Sequence, residues 1–158
     1  MDTATYTFTG AEDWGVEEGP RIPIRVWSKS RKKSIVVFAL ADTGASGCVF
    51  PAEMATYLDH NLDAPNVNIH NARTFNGRPV KTYRHTFFVD ILTPDRRDVI
   101  GRNKMIVPCV SGLAEPLLGV HDCLTSFKVT VDYPKKRIKL GWTPQQGGFG
   151  SSQSPGTI

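Results

Sequence analysis

Between Arg21 and Trp142 the apolar positions of the chain recur mainly with a period of two, the spacing that puts one face of a β-strand toward a core. Ile22, Ile24 and Val26 alternate with Arg21, Pro23 and Arg25, which predicts a half-buried strand. A basic turn follows at Lys29-Ser30-Arg31-Lys32-Lys33. Ile35–Ala41 is then continuously apolar, as in a strand covered on both faces. Pro51–Leu58 opens with proline at a first helical position and predicts one or two helical turns. Asn76-Gly77 lies between extended stretches and signals a hairpin turn, and Thr86–Leu92 reads as another strand. Phe127, Val129, Val131 and Tyr133 alternate, Pro134–Arg137 turns, and Ile138, Leu140 and Trp142 alternate again, a second hairpin. Short strands, frequent turns and little helix predict an all-β barrel or sandwich.

Around this body, residues 1–20 form a polar, acidic N-terminal extension whose alternating patch Tyr6-Thr7-Phe8-Thr9 suits a short edge strand. Residues 143–158, rich in Gly, Ser, Gln and Pro, read as a disordered tail. The expected organisation is therefore one domain over 21–142 between two extensions. With 158 residues, the chain is long enough to bury a core without staples. It is 40% hydrophobic and 22% charged, ordinary for a globular protein. No apolar run has the length of a membrane span, and Met1-Asp2-Thr3-Ala4 lacks the features of a signal peptide. A cytoplasmic protein is the expectation, and a product released from a larger precursor would look the same.

Cys48, Cys109 and Cys123 form an odd, widely spaced set with no CxxC pair. They read as structural thiols in a reducing compartment, with no metal or cofactor implied. The net charge of +4 is gathered partly at two predicted turns, Lys29–Lys33 and Lys135–Arg137. Solvated hairpin tips explain these clusters. No aromatic stacking platforms are interleaved with them, so nucleic acid is not an expected partner.

Candidate chemistry is concentrated at Ala39-Leu40-Ala41-Asp42-Thr43-Gly44-Ala45-Ser46. A carboxylate ending a hydrophobic strand is costly unless it is hydrogen-bonded or has a task. Thr43 offers a hydroxyl and Gly44 a backbone open to close approach. Downstream come Thr74-Phe75-Asn76-Gly77-Arg78, then Pro116-Leu117-Leu118-Gly119, then Leu124–Tyr133. In that order these elements resemble those of retropepsin-like aspartic proteases, the single-domain class that includes the retroviral enzymes and their cellular and bacterial relatives. The resemblance covers roughly 21–142. It departs from the family at Gly119–Leu124, which is one residue longer than usual.

What the resemblance implies is a closed acid-protease β-barrel of the retropepsin type, with one or two short helices, active as a two-fold homodimer. Asp42 would be the catalytic residue, with Thr43, Gly44 and Ala45 supporting its loop. Phe75, Asn76 and Gly77 would form a substrate-binding flap, and Leu117, Leu118 and Gly119 the second hydrophobic-Gly element. Only one Asp-Thr-Gly occurs in the chain, so a symmetric pair of carboxylates needs a second copy. The implied activity is hydrolysis of an extended peptide or protein substrate by a water held between the two. Leu40, Val49, Phe50, Ile100, Leu117 and Leu118 would line apolar pockets. The alternative is a non-catalytic dimerisation or peptide-binding module on the same fold. His121 reads as a surface histidine, Asp122 as a cap on the following short helix, and Asp132 as a solvent-facing hairpin residue.

Overall fold

The computed structural model describes residues 1–11, 16–62, 68–73 and 77–144. Twelve strands account for most of it: β1 (Asp2–Thr7), β2 (Thr9–Ala11), β3 (Val16–Gly19), β4 (Arg21–Trp27), β5 (Ser34–Ala41), β6 (Phe50–Pro51), β7 (Asn68–Arg73), β8 (Pro79–Leu92), β9 (Val99–Val110), β10 (Leu117–Leu118), β11 (Lys128–Asp132) and β12 (Arg137–Trp142). One short helix, α1, spans Ala52–Tyr57, and a 3-10 turn spans Leu124–Ser126. Pro51 sits just before α1 in an extended conformation, where its missing N–H costs nothing.

The main sheet runs in the order β10-β5-β4-β8-β9-β6, with β7 added alongside β8. Its two ends meet. Val49 and Leu117 exchange backbone hydrogen bonds of 3.1 and 2.8 Å, joining the β6 end to β10 and nearly closing a six-strand barrel. Closure leaves few open strand edges and encloses a core in which Ile22, Ile24, Phe50, Phe87, Ile91 and Leu118 are fully buried. Phe50 and Phe87 meet edge to face at 5.1 Å, a favoured aromatic geometry.

A second sheet, β1-β12-β11, packs at one end. β12 and β11 are the C-terminal hairpin expected from the alternation, in antiparallel register from Lys128↔Gly141 to Asp132↔Arg137. β1 is longer than the edge strand suggested by Tyr6–Thr9: it pairs with β12 from Asp2↔Trp142 to Thr7↔Arg137. Tyr6 anchors it, donating its hydroxyl to the Leu92 carbonyl at 2.8 Å across 86 residues of sequence.

β5 differs from the expectation of burial on both faces. Ala39 and Ala41 are buried, whereas Val36 is 43% and Phe38 41% exposed. Only Leu40 and Ala41 pair with β10, so the first part of the strand has a neighbour on one side alone. Conversely, β8 begins seven residues before the strand read at Thr86, because β7 pairs with its first half. β9 had no clear signature in the sequence, its apolar ends being interrupted by Gly101-Arg102-Asn103-Lys104. Its pairing along β8, from Tyr83↔Cys109 to Leu92↔Val99, supplies the order. Among the described residues, no helix is long and apolar enough to cross a membrane.

Candidate active site

β5 delivers Asp42 to the floor of a cleft of about 760 Å³. The strand ends there because the next residues turn. The Ala45 amide donates to the Asp42 carbonyl at 3.2 Å, and the Gly44 amide to Asp42 Oδ1 at 2.9 Å. A charge-assisted bond of this kind holds the carboxylate in one orientation. Among the described residues, Oδ2 has no partner. Thr43 is exposed and makes no side-chain hydrogen bond to any of them.

The loop is tied down by the segment around β10. Leu40 donates to Pro116 at 2.9 Å, Asp42 to Leu118 at 3.0 Å, and on the return Val120 donates to Ala45 at 2.9 Å and His121 to Ser46 at 2.8 Å, all through the backbone. Such close interleaving explains the glycine after Leu117-Leu118. A Cβ on Gly119 would lie 2.2 Å from the carbonyl oxygen of Gly47, inside any permitted contact. Asp122 completes the tie: its Oδ2 accepts the Cys48 amide at 2.9 Å. That corrects the expected helix cap, since the 3-10 turn has Cys123 at its start and no side-chain cap. The cause is tertiary, because Cys48 lies 74 residues away in sequence.

Behind the loop, an ion pair supports β10. Arg21 bonds Glu115 twice, Nε–Oε2 at 2.5 Å and Nη2–Oε1 at 2.9 Å. Its Nη1 donates to the Thr9 and Glu17 carbonyls. The guanidinium thus links the β2–β3 hairpin to the residue just before Pro116-Leu117-Leu118.

The cleft walls come from two neighbouring strands. Val80, Thr82 and Arg84 of β8, and Ile106, Pro108 and Val110 of β9, line it at alternate positions, together with Leu113 and Leu117. Strand parity decides this, since every second side chain shares a face. Of the residues expected in apolar pockets, Val49 and Leu117 line the cleft. Phe50, Leu118 and Ile100 are instead buried in the core, and Leu40 packs near Gly19. Gly44 and Ala45 line the cleft beside Asp42. Gly77 lies two residues before β8 at φ +79°, a conformation that suits glycine. Phe75 and Asn76 lie outside the described residues, as does 145–158 of the C-terminal tail.

The wall residues Val80, Thr82, Arg84, Ile106 and Pro108 were missed by sequence reading. The alternation at 80–84 mixes one apolar with two polar side chains, which carries no core signal.

Other chemistries find little here. Cys48 lines the cleft, but burial pushes its thiol up to about 11 and the nearby Asp122 charge adds to this against an opposing Gly119 N–H bond. A protonated thiol is a poor nucleophile. Cys109 is likewise pushed up by burial, to about 12. His121 is exposed, and its amide serves the loop. Among the described residues, no group of three or more His, Cys, Asp or Glu is placed to hold a metal ion.

No protein-family model matches the chain, and no curated protein matches it at a significant level. Among solved structures, the fold is similar to that of a retropepsin-like aspartic protease from Rickettsia conorii. The TM-score is 0.53 over 89% of this chain and 92% of that one, at 20% identity. The architecture is thus that of the retropepsin-like fold, with Asp42 on the cleft floor.

Proposed function

We propose that the protein is an aspartic endopeptidase whose active unit is a homodimer, with Asp42 contributed by each protomer. The observation that carries this reading is the carboxylate on the cleft floor, held by one oxygen through the Gly44 amide. A single such carboxylate per chain makes half of a two-acid site. The exposed Thr43 beside it supports pairing of two loops across a two-fold axis, where each hydroxyl finds a partner in the other copy.

The chemistry follows from the pair. Two carboxylates a few ångströms apart share one proton, because like charges so close do not both ionise. The ionised member takes a proton from the bound water, which attacks the scissile carbonyl. The protonated member supports the oxyanion and then helps protonate the leaving amine. An extended peptide lies in the cleft by strand-like main-chain bonding. Its side chains meet apolar surface from Val49, Val80, Ile106, Val110 and Leu117, favouring hydrophobic residues beside the cut. The β7–β8 hairpin serves as the lid that excludes water.

The test is digestion of a broad peptide library by the wild type and by Asp42→Asn, with oligomeric state followed against concentration. Wild-type specific activity falls on dilution, and the variant loses about 10⁴-fold in kcat while keeping its circular dichroism and sedimentation. Full activity in the variant would overturn the reading. Peptide binding without cleavage by the wild type at any pH would assign the fold to a binding module instead.

A further inference from the structure

We infer that Arg84 makes the cleft selective for peptides bearing an acidic side chain at one fixed position from the cut, an inference that rests on the endopeptidase reading. Among the described residues, three charged ones line the cleft: Asp42, Asp122 and Arg84. The two acids are engaged locally, Asp42 by the Gly44 amide and Asp122 by the Cys48 amide. Arg84, the one cation on the wall, has neither a carboxylate nor a hydrogen-bond partner among the described residues. Three other arginines have carboxylates, Arg21 with Glu115, Arg97 by Asp95 and Arg102 by Asp90, while Arg25 and Arg96 lie over the rings of Trp27 and Phe38.

Its position is set by the fold. Arg84 lies opposite Asn68 of β7 and opposite Pro108 of β9, where β8 passes from the hairpin into the barrel. Strand parity puts it on the same face as Val80 and Thr82, and the backbone on both sides is paired, so the stem is steady while the guanidinium stays exposed. The rest of the wall is largely apolar: Val80, Ile106, Pro108, Val110, Leu113 and Leu117. A peptide bound there as a strand offers alternate side chains to that wall. Apolar ones match most of it. At Arg84 the matching group is a carboxylate, which a guanidinium fork takes in a two-bond arrangement that a neutral amide does not reproduce.

The experiment uses peptides with one apolar cleavage pair and Glu, Gln or Lys placed at each flanking position in turn, read as kcat/KM. At one position the wild type prefers Glu over Gln by about fivefold, the scale of an exposed ion pair, and added salt lowers the ratio. Arg84→Ala brings the ratio to unity, and Arg84→Glu reverses the preference toward Lys at that position. A flat wild-type ratio at every position, or one unchanged in Arg84→Ala, would overturn the inference. Should the wild type cleave no peptide, the catalytic reading fails by itself. Fluorescence anisotropy of the same labelled peptides, with the same ratios sought in Kd, then decides for or against Arg84.

Discussion

At the base of the cleft the Asp42 loop is held by backbone bonds to the β10 segment and by the approach of Gly119 to Gly47. The wall, from Val80 to Arg84 and Ile106 to Val110, is ordinary paired strand whose side chains set the surface. The base has almost no freedom to vary: a single added carbon meets a carbonyl oxygen. At the wall, a change of side chain alters what the cleft presents to a ligand and leaves the ladder intact. The difference teaches where chemistry and selectivity are separable in this fold. Main-chain contacts hold Asp42 in place, and side chains at alternate positions of the wall set what the cleft presents to a ligand.

The strongest way to break the contrast is Gly119→Ala. Its Cβ meets Gly47 backbone, so one of the two segments must move. The expected cost is about 3 kcal/mol or more, read as a lowered urea midpoint, together with loss of peptide cleavage. A stable, active Gly119→Ala protein would show that the base is less tightly built than the hydrogen bonds imply.

Acid tests the wall from behind. His60 is buried against Phe87, with ring centroids 4.3 Å apart, and lies 5.3 Å from His85. Neither Nε2 has a hydrogen-bond partner among the described residues. Burial, then the neighbouring His85, lowers His60 from its ordinary 6.5 to about 4, and burial and Lys29 lower His85 as well. The unfolded chain therefore binds protons that the folded one refuses. Stability from this pair is complete above about 6.5 and is lost as pH falls toward 4. The loss is roughly 1–3 kcal/mol between these limits, measured by urea unfolding across the pH range. His60→Leu should flatten that slope, and an unchanged slope would remove His60 from the account.

The smallest expected effect sharpens the other side of the contrast. Ile106 is 59% exposed on the wall, so Ile106→Thr should change stability by no more than about 0.5 kcal/mol. Its signature is in selectivity: the preference for a large apolar over a small polar side chain next to the cut should fall by about tenfold. A large loss of stability with selectivity unchanged would place Ile106 among the core residues.

Much of this contrast was visible in the chain itself on one side only. Asp42-Thr43-Gly44 is a local pattern whose residue types state their backbone needs, and Leu117-Leu118-Gly119 stood out through the family resemblance, so the base could be read. The alternation in the Phe127–Trp142 hairpin was legible because burial mainly on one face leaves a period of two, whereas the Ile22–Val26 alternation marked a strand but not its burial, since Arg21 and Pro23 are covered along with Ile22 and Ile24. Val80, Thr82 and Arg84 have no such mark, because the cleft face mixes a half-buried valine, a buried threonine and an exposed arginine. β5 misled in the opposite direction. Seven apolar residues in succession suggested cover on both faces, but β10 reaches only its last two.

The sequence by itself determined the strand-rich architecture and the single Asp-Thr-Gly per chain, and marked the turn at Asp42-Thr43-Gly44. Those properties depend on near neighbours, whose periodicity and steric limits act over a few residues. Tertiary structure alone decided that Asp122 serves the Cys48 amide rather than a helix, that β1 closes against β12, and that Arg84 shares a cleft with Asp42. Each depends on register and barrel closure, which join segments distant in sequence and are set by the packing of the whole core.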